Sequence, residues 1–363
     1  MNPGSTTPQD SPMSLEELYW PIDESEKNKT CVLHISRHFN TANNTNNINY
    51  AKKSKKRKTQ TIFIVIPGNP GAPHFYQRLI CELLDMTSDS EILEAYCLGH
   101  TGHTATDNVF TSFSFIEQTE HKIFLLRKQI FPKLFDNYYN NNNNTKIVLC
   151  GHSIGGWICI DIMRQLHEME NEFIKASLCL FPTVMHIGAS PNGQKLGPLI
   201  GNKWIRESSA IVLNCLRNTC FQKCLINFVH YMQQNDDKMS MDYEDASIVV
   251  KQLFHPYVVR NAMYMGDTEM RLMKGLDAKT IEKHVKKIFF YYGPKDGWTQ
   301  PISKHLQSVR KAVVNSKYSD DVDVNQMVRV DTHELPHACA LGPTVKLLAS
   351  VIVDDYIRDL FLA

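Results

Sequence analysis

The chain has 363 residues, of which 43% are hydrophobic and 21% charged, and its formal net charge is +1. That make-up fits a globular protein with a real core, long enough for one large domain or two modest ones, and excludes a nucleic-acid binder that works by neutralising phosphates. Nothing approaches the ~20 apolar residues of a membrane span. The polar N-terminus lacks the apolar segment of a secretory signal. The ten cysteines form neither a C-x-x-C pair nor a zinc-spaced cluster with histidine. Cys150, Cys159 and Cys179 lie in apolar runs and read as buried, reduced thiols in a chain facing the cytosol.

In chain order, residues 1–30 are polar, and residues 31–35 (CVLHI) are a candidate first strand. An asparagine-rich tract and a basic run over residues 52–58 follow, and together they read as a solvated insertion loop. A second reading of the basic run is a nuclear signal or a contact with anionic lipid. Residues 61–66 (TIFIVI) form an unbroken β-branched run, the signature of a strand buried on both faces of a parallel sheet. The turn "PGNPG" ends it, and a helix is expected over residues 74–85. Residues 92–98 are the next strand.

"FIEQTEHKIFLLRKQIFPKLF" is an amphipathic helix with Ile116, Ile123, Phe124, Ile130 and Leu134 near one face. The asparagine run over 140–144 makes a loop. Residues 146–150 are a strand, 155–169 a helix and 176–181 a strand. Strands are expected again over 287–292 and 327–331, with a long loop over 313–325 before the second of them. A last helix covers 342–361. Short apolar strands alternating with helices predict a mostly parallel sheet with helices on both faces. Residues 185–285 carry helical patterns without a clear strand and read as a helical insertion at one end of the sheet.

The chemistry centres on "VLCGHSIGGW", residues 148–157. A G-x-S-x-G stretch between a strand and a helix puts its serine on a sharp, strained turn with the hydroxyl clear of the sheet. The helix N-terminus behind it favours developing negative charge. Ser153 is therefore the candidate nucleophile. A serine hydroxyl needs a base, and the base needs an orienting carboxylate. In this architecture the order is serine, acid, histidine. Asp296 in "FFYYGPKDGWTQP" follows a strand and is the candidate acid, although P-x-D-G is also plain turn chemistry. "VRVDTHELPHACA" offers His333 and His337 as the base. His337 is favoured, because the longer loop lets its imidazole swing back over Ser153. The oxyanion of a tetrahedral intermediate requires N–H donors. These are expected from Ile154 and from Asn69 in "PGNPG". A phosphate cradle in that loop is the weaker alternative, because no Lys-Ser/Thr follows it. Such chemistry needs no metal and no cofactor.

With these residues in place, "IVIPGNPGAPHFY", "EHKIFLLR", "GHSIGG", "LFPT" followed by "SPNG", "NAMYMG" and "YYGPKDGW" resemble the lipid droplet-associated hydrolase family, a group of serine lipid hydrolases. The resemblance runs from about residue 61 to 340. It implies Ser153 as nucleophile, Asp296 as acid and His337, in "LPHA", as base. It also implies hydrolysis of sterol esters or other neutral lipids at the cytosolic face of the lipid droplet or endoplasmic reticulum, with the protein bound peripherally. The asparagine-rich insertions, the basic run and the loop over 313–325 depart from the pattern and alter only the spacing of the site residues.

The expected organisation is a polar segment over 1–60 and one α/β-hydrolase domain over 61–363, with 185–285 as its helical cap. Within the cap, Phe221, Cys224, Leu225, Phe228, Val229 and Met232 recur at helical spacing. Lys195, Lys203, Arg206, Arg217 and Lys223 outnumber the single acid Glu207 between residues 195 and 234. An apolar face with excess positive charge suits an interfacial helix; the same face also suits an ordinary cap packed on the sheet. The function expected is a serine ester hydrolase acting on neutral lipids. The alternatives are a hydrolase of soluble esters or thioesters, and a droplet-organising protein with little catalysis.

Overall fold

The computed structural model describes residues 13–37, 61–87, 92–107, 109–141, 145–215, 219–233 and 241–358. The basic run over 52–58 and residues 142–144 of the second asparagine run lie outside the described residues. An eight-stranded sheet has the order β1-β2-β4-β3-β5-β6-β7-β8. Its strands are β1 (Met13–Pro21), β2 (Lys29–Arg37), β3 (Thr61–Ile66), β4 (Ile92–Leu98), β5 (Lys146–His152), β6 (Ile174–Leu180), β7 (Ile288–Tyr292) and β8 (Val328–Val330). β1 pairs antiparallel with β2 and β2 antiparallel with β4, and every later pair is parallel.

The β-branched run of β3 is explained by what covers it. Ile62, Ile64 and Ile66 face one core cluster with Ile158 and Ile162, whereas Phe63 and Val65 face the other with Leu79, Leu83, Leu348 and Ile352. Both faces of the strand are dry, so no polar alternation appears. Helix α1 (Gln77–Met86) and the last helix, α14 (Val345–Ile352), cover one face. Helices α2 (Phe115–Leu125) and α4 (Ile154–Gln165) cover the other. α2 runs through a π turn, Leu126–Ile130, into α3 (Phe131–Asn141), so the one amphipathic helix expected there is continuous across two helices. A short α5 (Glu168–Phe173) leads into β6.

Three local expectations are corrected. A strand, β1, lies in the stretch described only as polar. It is an edge strand with Leu15 and Tyr19 exposed, so its pattern is only half apolar. The loop expected over 313–325 is mostly structured: α12 (Ile302–Asn315) reaches into it, and α13 (Val324–Met327) closes it. The expected helix over 155–169 divides into α4 and α5 at Leu166.

Helices α6 (Pro191–Ile200), α7 (Lys203–Cys215), α8 (Thr219–Gln233), α9 (Tyr243–Leu253) and α10 (Pro256–Leu272) lie between β6 and β7. α11 (Ala278–Lys283) returns to the body, where Ile281 joins the sheet's core. The apolar residues expected to share one face of α8 divide between two. Ile226 is buried with Ala246 and Val250 of α9, and Leu225 and Val229 pack beside them. Phe221, Phe228 and Tyr231 stay exposed. Arg206, counted among the free cations, turns inward, donating to the Ile200 carbonyl at 2.8 Å and approaching Asp267 at 3.7 Å.

Candidate active site

The loops that leave the C-terminal ends of β3, β4, β5, β7 and β8 meet at one edge of the sheet, where open α/β sheets hold their ligands. Ser153 sits between β5 and α4 with φ 55° and ψ −121°, a conformation that costs a non-glycine residue about 1–3 kcal/mol. The sequence permits the turn through its glycines. A Cβ on Gly151 would fall on the backbone of Gly155, and one on Gly155 would fall on the Ile66 carbonyl. The strain holds the Ser153 hydroxyl out of the sheet.

His337 Nε2 lies 3.0 Å from Ser153 Oγ, and His337 Nδ1 lies 2.7 Å from Asp296 Oδ2. The Asp296 side chain is almost fully buried, and its other oxygen accepts the Trp298 N–H at 2.9 Å. A carboxylate only accepts, so the His337 proton sits on Nδ1 and the bare Nε2 faces the serine. His333 is exposed and does not reach this site. It belongs to the anchor of the loop that carries His337. Buried Asp331 accepts the N–H groups of His333 (2.8 Å) and Leu335 (2.5 Å) and the Tyr291 hydroxyl (2.7 Å).

Sequence reasoning gave no role to His152, the middle residue of G-H-S. Its Nε2 donates to the His337 carbonyl at 2.7 Å. That carbonyl cannot donate, so Nδ1 is bare and accepts the Tyr76 hydroxyl at 2.7 Å. The Tyr76 oxygen in turn accepts the Gly68 N–H at 2.8 Å. Burial, and next the neighbouring His337, push the pKa of His152 down to about 3, so it stays neutral and the direction of the chain is fixed. One relay thus ties the His337 loop, the serine turn and the "PGNPG" loop. His152 and Tyr76 fall within stretches that the family resemblance rests on, but only the fold shows what they hold.

The "PGNPG" loop is pinned at two more points. Gly71 donates its N–H to His103 Nδ1 at 3.0 Å and accepts the His100 N–H at 2.9 Å. Burial, and next Lys122, lower the pKa of His103 to about 3, which keeps it an acceptor. The Asn69 side chain points to the cap, donating to the Ala262 carbonyl (2.9 Å) and to Glu269 Oε1 (3.0 Å). Ile154 opens α4, and the first N–H groups of a helix have no intrahelical acceptor. Ser153, His337 and Asn69 line a cavity of about 250 Å³ whose far wall is made by Ile187, Leu196, Ile200, Met263, Glu269 and Met270. Most of the thiols are buried, Cys150, Cys159 and Cys179 among them, as expected from their apolar runs.

The profile described as lipid-droplet associated hydrolase matches residues 59–339. A lipid droplet-associated hydrolase of Gallus gallus is 26% identical over 305 residues, covering 82% of this chain and 85% of that protein. One of Pongo abelii is 30% identical over 318 residues, covering 84% and 86%. Among solved structures, the peroxisomal alpha-beta-hydrolase Lpx1 of Saccharomyces cerevisiae superposes with a TM-score of 0.57 at 10% identity, covering 97% of this chain and 90% of that one. A soluble variant of a Saccharomyces cerevisiae monoglyceride lipase gives 0.53 at 13%, covering 98% of each. The fold is that of the α/β-hydrolases. The chain belongs to the lipid droplet-associated hydrolase family.

Proposed function

We propose that the protein is a serine ester hydrolase acting on neutral lipids, sterol esters or acylglycerols, through Ser153, His337 and Asp296. The observation that carries this reading is the run of hydrogen bonds from Asp296 Oδ2 through His337 to Ser153 Oγ, opening on a mostly apolar cavity. Ser153 Oγ attacks the ester carbonyl while His337 Nε2 takes its proton. The N–H groups of Ile154 and Asn69 receive the oxyanion. The alcohol leaves with the proton from His337, and the acyl group remains on Ser153. Water, deprotonated by His337, then releases the acid by the same steps. Asp296 orients His337 and stabilises the imidazolium.

The site of action is the lipid droplet surface, with the endoplasmic reticulum as the second membrane implied by the family resemblance. Among the described residues no helix is long and apolar enough to cross a membrane. Leu199, Trp204, Ile211, Phe221, Phe228 and Tyr231 of the cap are exposed, and Lys195, Lys203 and Lys223 are exposed on the same helices. This combination supports peripheral docking by the cap. Purified wild type and Ser153→Ala tested on emulsified sterol esters and acylglycerols provide the test. Turnover should fall at least ~10³-fold in the variant. Equal turnover by both proteins overturns the reaction, and activity confined to short soluble esters overturns the substrate class.

A further inference from the structure

We propose that Glu269 is the group that recognises a free hydroxyl on the alcohol part of the substrate, so that the preferred substrates are partial acylglycerols rather than sterol esters. This rests on the ester-hydrolase reading and narrows it.

Glu269 lies on α10 in the cap and lines the same cavity as Ser153 and His337. Its carboxyl is buried, and among the described residues its one hydrogen bond comes from Asn69 Nδ2. The Asn69 amide also donates to the Ala262 carbonyl, which fixes its orientation and makes Glu269 Oε1 an acceptor. The second oxygen, Oε2, is left for whatever fills the cavity. The charged groups on the adjacent elements serve each other: Asp267 is held by Arg271 at 3.0 Å and approached by Arg206 at 3.7 Å. Across the cavity, His337 is engaged by Asp296 and Ser153.

With no cation beside it among the described residues, burial pushes the Glu269 carboxyl up to about 8, against a smaller opposing effect of the Asn69 hydrogen bond. At neutral pH it is an acid that can donate from Oε2. A buried polar group is costly without a partner, and a substrate hydroxyl is the partner the cavity lacks. Size points the same way. At about 250 Å³ the cavity is below the ~300–1,000 Å³ of sites for drug-sized ligands, and a glycerol unit is of a size to fill it. Met270 also lines a neighbouring cleft of about 500 Å³ between α6 and α10.

The test compares 1-monolauroylglycerol with ethyl laurate, which share an acyl chain and differ in free hydroxyls. The readout is the ratio of kcat/KM values, which cancels any loss common to both substrates. Wild type should prefer the glycerol ester. Glu269→Leu should lower that preference about tenfold, and Glu269→Gln, which keeps an acceptor and a donor, should retain it. In parallel, binding of 1-O-dodecylglycerol and of dodecyl ethyl ether to Ser153→Ala protein, followed by tryptophan fluorescence, reads recognition without turnover. A wild-type chain with no preference in either arm overturns the proposal, whether or not Glu269→Leu folds. So does a folded Glu269→Leu protein that keeps the full preference. Preferential binding of dodecylglycerol without hydrolysis of any ester upholds the hydroxyl site and overturns the reaction instead. Hydrolysis without preference overturns the hydroxyl site alone.

Discussion

The two walls of the Ser153 cavity are built differently. On the sheet side, the "PGNPG" and His337 loops are tied down by their backbone: Gly68 to Tyr76, Gly71 to His103, the His337 carbonyl to His152, and the N–H groups of His333 and Leu335 to Asp331. On the cap side, the wall is made mostly of side chains on α6 and α10, and the Asn69 amide crosses from one wall to the other, donating to the Ala262 carbonyl and to Glu269. Bond-making requires atoms placed to within a fraction of an ångström, and fixed backbone supplies that. Substrate choice requires a shaped lining, which helices change without moving the reacting atoms. Damage to the sheet wall should therefore cost rate, and damage to the cap wall should cost discrimination or docking.

The strongest challenge to that contrast is at His337. His337→Gln should lower ester turnover by at least ~10³. His333→Gln, altering an exposed residue on the same loop, should stay within about twofold of wild type. A reversal in steady-state assays would mean that the loop adopts another arrangement over Ser153.

Tyr76→Phe removes the hydroxyl between Gly68 and His152 and leaves both with unpaired buried groups, a loss of about 1–3 kcal/mol in stability. Activity should fall about tenfold through kcat as the "PGNPG" loop and the His337 loop loosen together. Thermal unfolding and kinetics on one preparation check both; a loss of stability with unchanged kcat would separate the relay from catalysis.

Glu269 tests the crossing point. Its folded-state pKa of about 8 lies above the ordinary glutamate value of 4.5, so it is protonated at neutral pH and ionises as pH rises through about 8. An anion there opposes the negative charge that develops near Asn69. Wild-type kcat/KM should fall across that range, and Glu269→Gln should lack the fall. The same sign holds for stability: the wild type loses stability relative to Glu269→Gln as pH rises from 4.5 towards 8. Identical pH profiles for the two proteins would show that the carboxyl is not coupled to the reacting centre.

How legible each wall is in the sequence follows the same division. β3, β5 and the serine turn can be read directly, because a strand buried on both faces must be apolar throughout and the turn tolerates only small residues at 151 and 155. Asp296 and His337 can be read from their order along the chain. β1 cannot, because an edge strand with one exposed face mixes Glu16, Glu17 and Leu18 without a clear pattern. His152, Tyr76 and Glu269 gain their roles only from neighbours distant in sequence; a glutamate in an amphipathic helix reads as a solvated one. The outward face of α8 is illegible for a related reason. Helical spacing shows that residues are apolar, but not that α9 claims Leu225 and Val229 and leaves Phe221 and Phe228 outward.

The smallest effect on chemistry is expected at that outward face. Changing Phe221, Phe228 and Tyr231 together to Ser should leave hydrolysis of a short soluble ester within about twofold, because none of the three lines the cavity. Burial of apolar side chains contributes roughly 1.5–3 kcal/mol each, so the triple variant should be released from droplets in a flotation assay. If it still floats, docking lies elsewhere, and residues 52–58 are the next place to look.

Covalent labelling tests the central claim, that Ser153 is a nucleophile activated by His337, most directly. Wild-type protein is treated with an alkyl fluorophosphonate, digested and mapped by mass spectrometry. One adduct on Ser153 is predicted, absent in Ser153→Ala and slowed at least ~10³-fold in His337→Gln. An unmodified Ser153 in folded wild-type protein, or equal labelling of the Ser153→Ala chain, would contradict it.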